Sequence, residues 1–167
     1  MPNWCSNNLA LSHENPDMIS RAKKAFEEGN FFNEFVPLPK DQEENWYDWH
    51  CEHWGTKWDV ANRFIGLETP KELELGFDTA WSPPIAFYKN LEEQGFEVSA
   101  DYYEPGMCFI GEYADGTDEC YEYDFADDEW RNHLPEHIAE KLESEYEMWL
   151  EYCEGEKAFE EKEQEEA

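Results

Sequence analysis

The sequence predicts an α+β fold built on an antiparallel sheet, from three observations. Apolar residues alternate at every second position in several short stretches. They recur every three to four positions in others. Gly, Pro, Asn and Asp cluster at the joins between them.

Trp4 to Leu11 reads as the first strand, with Cys5, Asn7, Leu9 and Leu11 on one face. Asn15-Pro16-Asp17 then opens a helix, Asn15 as N-cap and Pro16 at the first helical position. Met18, Ile19, Ala22, Ala25 and Phe26 form its apolar stripe, and Gly29-Asn30 closes it. Phe31 to Phe35 is a short apolar run. The prolines of Pro37-Leu38-Pro39 exclude a central strand after it. Residues 41–54 form an acidic, Trp-rich insert; as a helix it would bring Trp46, Trp49, His50 and His53 near one face. Gly55-Thr56 breaks it, and Trp58 to Ile65 reads as a short strand or a helical turn.

Glu72 to Thr79 is a strand with Leu73, Leu75 and Phe77 on one face. Ser82 as N-cap and Pro83 at the first position open a second helix, whose core face is Ile85, Phe87, Tyr88 and Leu91 and whose end is Gly95. Phe96 to Tyr103 is the next strand. Met107 to Tyr113 and Glu119 to Phe125 pair as a hairpin across Ala114-Asp115-Gly116-Thr117, because Asp-Gly suits a tight turn. Pro135 to Cys153 reads as one helix, with Ile138, Leu142, Tyr146, Trp149 and Cys153 as its stripe, serving as core or as a homodimer seam.

In this order the elements give a ferredoxin-like, split βαβ antiparallel sheet with helices on one face, an irregular Trp-rich insert, and a C-terminal hairpin plus acidic helix. The expected divisions are residues 1–126 for the α+β domain, 127–153 for an acidic amphipathic helix packing on or extending it, and 154–167 for a disordered charged tail.

The chain has 167 residues, 42 Asp and Glu against 12 Lys and Arg, and a formal net charge of −30. That balance excludes ordinary binding to nucleic acid or to anionic membranes, both of which draw on Lys and Arg. An aromatic content of 17% excludes a wholly disordered acidic chain. No signal segment opens the sequence and no apolar run is long enough to span a membrane. Five widely spaced cysteines without a C-x-x-C point to reduced thiols and a cytoplasmic location. The charge is uneven: residues 91–126 contain no Lys or Arg at all.

Four stretches carry a family resemblance: Met1-Pro2-Asn3-Trp4-Cys5 with Asn7 and Leu9, Pro37-Leu38-Pro39, Trp54-Gly55-Thr56-Lys57-Trp58-Asp59, and Phe77-Asp78-Thr79-Ala80-Trp81-Ser82-Pro83-Pro84. In this order and spacing they resemble the YubB-type ferredoxin-like domain family of bacterial plasmids and phages, over roughly residues 1–113. His53 stands where that family usually has Asn. The resemblance implies a ferredoxin-like α+β fold and a mobile-element origin, and no activity.

Three sets of residues are candidates for function. The first is an acidic and aromatic partner surface: Asp118, Glu119, Glu122, Asp124, Asp127, Asp128, Glu129, Trp130, Glu136, Glu140, Glu143, Glu147 and Glu151. The competing reading is a solvated, solubilising face. The second is a ligand groove of Trp54, Lys57, Trp58, Asp59 and Trp81, against a Trp-rich core in which Lys57 covers a Trp face or pairs with Asp59. The third is His50, Cys51 and His53, ligand types suited to zinc but short of a full set. No phosphate loop, nucleophile elbow or dinucleotide fingerprint is present, and no cofactor is expected.

These features lead to a non-enzymatic protein of a phage or plasmid, acting in the host cytoplasm. It would inhibit a basic nucleic-acid-binding host protein, such as a nuclease, by DNA mimicry, without touching nucleic acid or membrane. The alternatives are a metal-dependent or Trp-pocket enzyme, and an acidic accessory protein with no inhibitory role.

Overall fold

The computed structural model describes residues 1–165, with side-chain environments through residue 157. The chain divides into two units, Met1–Tyr121 and Glu122–Ala167. The division falls slightly before the expected boundary at residue 126.

The first unit is a six-stranded antiparallel sheet with helices. Its strands are β1 (Trp4–Ser12), β2 (Ala61–Glu68), β3 (Glu72–Ala80), β4 (Glu97–Glu104), β5 (Phe109–Ala114) and β6 (Thr117–Glu122), in the order β2-β3-β1-β4-β5-β6. β3 lies between β1 and β2, and β1 between β3 and β4, so every crossover skips a strand. This is consistent with a ferredoxin-like-type α+β fold. Two-residue alternation fixes the register. Leu9 lies opposite Leu75 and Ala100, and Leu11 opposite Leu73 and Val98. All of these are buried, while Ser6, Asn8 and Ala10 are exposed.

Helix α1 (Pro16–Glu28) forms where its caps predict. The Asn15 side chain accepts from the Asp17 N–H, and Gly29 closes the helix at φ +71°, in the left-handed region that favours glycine. Helix α2 (Phe31–Phe35) is a short turn that buries Phe31, Phe32 and Phe35. Phe32 packs 4.5 Å from Phe87 and 6.0 Å from Phe77, centroid to centroid, joining the helical layer to the sheet. Burying each Phe contributes about 1.5–3 kcal/mol. A 3-10 turn (Lys40–Asn45) and helix α3 (Trp46–His53) make up the Trp-rich insert.

Three expectations change. β2 is a strand, but an edge strand with irregular register, so its exposure does not alternate. Helix α4 (Ile85–Glu93) begins after Pro84, and Ser82 is not its N-cap, because the Ser82 hydroxyl donates to the Gly55 carbonyl oxygen at 2.7 Å. The hairpin strands also shift: β5 starts two residues later than expected, at Phe109, while β6 starts two residues earlier, at Thr117, and ends three earlier, at Glu122. Its turn is as predicted, with Asp115 (φ +51°) and Gly116 (φ +75°) both in the left-handed region.

The second unit begins with a 3-10 turn (Trp130–His133), followed by helices α5 (Glu136–Lys141) and α6 (Glu143–Glu165). The single helix expected from Pro135 is interrupted at Leu142. There the N–H bonds to the Ala139 carbonyl three residues back, a tightened turn. An aromatic cluster holds this unit together: Phe125 lies 5.1 Å from Trp130 and 5.3 Å from Tyr146. The tail expected from residue 154 starts inside α6, and residues 166 and 167 lie outside the described residues.

Candidate functional site

The structure divides the predicted groove into core and surface. Trp54 is buried, and its indole N–H donates to the Val36 carbonyl at 2.9 Å. Asp59 is a capping residue for α2: its carboxylate accepts from the Phe32 and Asn33 N–H groups at 3.0 Å each, and from the Val60 N–H at 2.8 Å. Burial pushes its pKa above the usual aspartate value, and the three N–H donors partly oppose that shift. Neither residue is presented to a ligand, which corrects both as groove members.

Lys57, Trp58 and Trp81 do come together, at the surface. The Lys57 ammonium lies 3.7 Å from the Trp58 ring centroid and 4.2 Å from that of Trp81. Trp58 also stands 6.3 Å from Trp4, which extends the patch beyond the two rings on the lysine. Hydrogen bonds bind the motifs to each other. Thr56 Oγ1 donates to the Ala80 carbonyl at 2.9 Å, the Trp81 N–H to the Asn3 carbonyl at 2.9 Å, and Thr79 Oγ1 to the Ser82 carbonyl at 2.7 Å. The buried Asn7 side chain donates to Thr79 Oγ1 at 2.9 Å.

The imidazoles of the insert serve packing. His50 stacks on Trp54 at 3.6 Å and His53 on Trp49 at 4.2 Å. Their Nδ1 atoms meet the Lys57 and Trp49 carbonyls. Cys51 is exposed on α3. Among the described residues no group of three His, Cys, Asp or Glu is placed to hold a metal. None of the five cysteines is in a disulfide, and burial pushes the Cys5 thiol up to about 12.

Of the predicted acidic surface, Glu119, Glu122, Asp128, Glu129, Glu136, Glu140, Glu147 and Glu151 are exposed. Four others are exposed or half-buried but hold protein groups. Asp118 accepts from the Tyr102 hydroxyl, Asp124 from the Ala126 N–H, Asp127 from the Glu129 N–H, and Glu143 meets Arg131. Trp130 is corrected: it is only 2% exposed, in the aromatic cluster of the second unit, and is not a surface anchor.

The structure adds an acidic surface that composition alone does not locate. Strands β1, β3, β4, β5 and β6 contain no Lys or Arg. On the face away from the buried apolar side chains, alternation places Glu72, Glu74 and Asp78 of β3, Glu97 and Asp101 of β4, and Glu112 of β5. Neutral donors meet some of them: Asn8 with Asp101 at 3.0 Å, Ser12 with Glu97 at 2.9 Å, and Asn62 with Asp78 at 2.7 Å. Every ion pair described within residues 1–121 takes its cation from α1 or from Lys71. The signal in the sequence is the repeat of acids at even positions in Glu72-Leu73-Glu74-Leu75, legible as one face only once the strand order is known.

Among the described residues no helix is long and apolar enough to cross a membrane. No family model and no curated protein matches the chain. One similar solved structure is the crystal structure of the protein Api92 from Yersinia pseudotuberculosis, of the family-model DUF1281. The likeness has 20% identity and a TM-score of 0.44, and covers 57% of this chain. This chain spans 40% of the length of that one.

Proposed function

We propose that this is a non-enzymatic binding protein that occupies the nucleic-acid-binding surface of a basic host protein, such as a nuclease, by presenting carboxylates where that protein takes phosphates. The observation that carries the reading is the cation-free, carboxylate-bearing face of the sheet. Glu72 and Glu74 stand one strand repeat apart, roughly 6.8 Å. On α6, the exposed Glu147 and Glu151 stand four residues apart, roughly 6 Å along the axis. Both elements thus offer rows of negative charge at similar intervals. Such a surface steers a basic partner into rapid encounter and disfavours acidic ones.

The family resemblance supports a phage or plasmid origin and action in the cytoplasm of a bacterial host, in counter-defence. The binding itself takes place without nucleic acid, membrane or cofactor. A homodimer through the C-terminal helix would multiply the charged surface. The experiment is a tagged capture from nuclease-treated bacterial lysate at low and high salt, followed by competition with duplex DNA for each purified captured protein. Retention of one stoichiometric nucleic-acid-binding protein that salt and DNA both displace supports the reading. A nonspecific spread of basic proteins, or a partner that holds this chain and DNA together, contradicts it.

A further inference from the structure

Lys57 is one of twelve basic residues in a chain with 42 acids, and among the described residues it forms no ion pair. Its ammonium instead lies on the faces of two tryptophans, 3.7 Å and 4.2 Å from their centroids. Both residues remain partly in solvent, Trp58 at 41% and Trp81 at 43% exposure. A Trp pair that served only the core would be covered, as Trp54 is at 3%.

The geometry is also held against backbone strain. Trp81 has φ +67°, the left-handed region that a bulky side chain rarely adopts. The Asn3 carbonyl accepts the Trp81 N–H, and hydrogen bonds from Thr56 and Thr79 fix the flanking residues Ala80 and Ser82. Three chain segments therefore cooperate to turn this ring outward beside Trp58.

We propose that Trp58 and Trp81 form an ammonium clamp for a lysine or arginine of a protein partner, filled by Lys57 in the free protein. Charge complementarity selects the occupant. The ring faces attract cations, and a net charge of −30 repels anionic ligands while concentrating basic ones. Lys57 shows the chemistry the rings accept, since its side chain already makes that contact. The identity of the partner rests on the proposed function; the chemistry of the clamp does not.

The test is a titration of the full chain and of Lys57→Ala with tetramethylammonium chloride at matched ionic strength, read by tryptophan fluorescence, with neutral tert-butanol as control. With the clamp vacated, Lys57→Ala is expected to saturate at a concentration about tenfold below wild type and to ignore the alcohol. The double variant Lys57→Ala/Trp81→Ala is expected to lose saturation. Lys57→Gln, which keeps most of the alkyl stem, is run in parallel and replaces Lys57→Ala if the latter lacks native circular dichroism. Equal midpoints in variant and wild type, an equal response to tert-butanol, or saturation retained without Trp81 would overturn the clamp. A hexa-arginine peptide stands in for the partner: its affinity should fall about threefold or more in Trp58→Ala/Trp81→Ala. Unchanged affinity there would overturn the assignment of a basic side chain as occupant. None of these readings depends on a nuclease being found, so failure of the clamp and failure of the mimicry reading are separable.

Discussion

Tyr102 of β4 donates its phenolic hydrogen to Asp118 of β6 at 2.6 Å, reaching across the intervening strand β5. It does so over Gly111, its register partner. A Cβ at Gly111 would lie 2.3 Å from the Tyr102 ring and 2.6 Å from the Glu119 carbonyl oxygen. Burial, then the bond to Asp118, pushes the Tyr102 pKa far above its ordinary value, so the phenol stays protonated and remains a donor. The same bond holds one carboxylate of the acidic surface in place.

Gly111→Ala should therefore destabilise the protein by about 1–3 kcal/mol. Removing the ring does not cure this, because the Glu119 backbone also blocks the methyl group. Urea denaturation of Gly111→Ala and of Gly111→Ala/Tyr102→Ala measures it. A Gly111→Ala midpoint matching wild type would refute the packing described for this part of the sheet.

Asp59→Asn should cost about 1–2 kcal/mol at neutral pH, through partial loss of the α2 cap. Its pH dependence has a definite sign. The folded pKa of Asp59 is raised by burial, so the unfolded chain releases this proton first as pH climbs. The Asp59 contribution to stability is thus greatest below the unfolded value near 3.8 and declines as pH rises through the folded value. The difference between wild type and Asp59→Asn should shrink from about pH 3.5 to pH 7. Paired denaturation curves across that range check it, and a difference that grows with pH contradicts the sign.

Thiol reactivity should follow burial. Cys51 and Cys120 are exposed, whereas Cys5 is fully buried with its thiol pushed up to about 12. Iodoacetamide at mildly alkaline pH, followed by mass spectrometry, should label Cys51 and Cys120 and leave Cys5 unmodified until denaturant is added. Early labelling of Cys5 would mean that β1 is not seated as described.

Thr56→Ala and Ser82→Ala should each lower stability by about 1 kcal/mol, since each removes a hydrogen bond between distant motifs. Both should also alter tryptophan fluorescence, because the bonds position Trp81 beside Trp58. Thermal melts monitored by fluorescence test this. Wild-type behaviour in both variants would show that the motifs are held by packing alone.

Local chemistry was legible in the sequence and long-range chemistry was not. Asn15, Pro16 and Gly29 announce α1 because caps act on adjacent residues. Asp115-Gly116 announces its turn for the same reason. β2 was ambiguous because an edge strand with irregular pairing has no buried alternation to display. Ser82 resembled an N-cap, but its partner Gly55 lies 27 residues away. Asp59 resembled a site carboxylate, but its partners are backbone N–H groups 26 and 27 residues upstream. The acidic face of the sheet needed the strand order before Glu74, Asp101 and Glu112 could be seen on one side.

The most direct test of nucleic-acid mimicry is equilibrium binding of the full chain to a purified captured target, measured from about 50 to 300 mM NaCl with and without duplex DNA. Mimicry of nucleic acid predicts affinity that falls steeply with salt and mutual exclusion with DNA. Substituting Glu72, Glu74 and Glu97 together by Gln should weaken binding further. Affinity indifferent to salt, or a ternary complex with DNA, would contradict it.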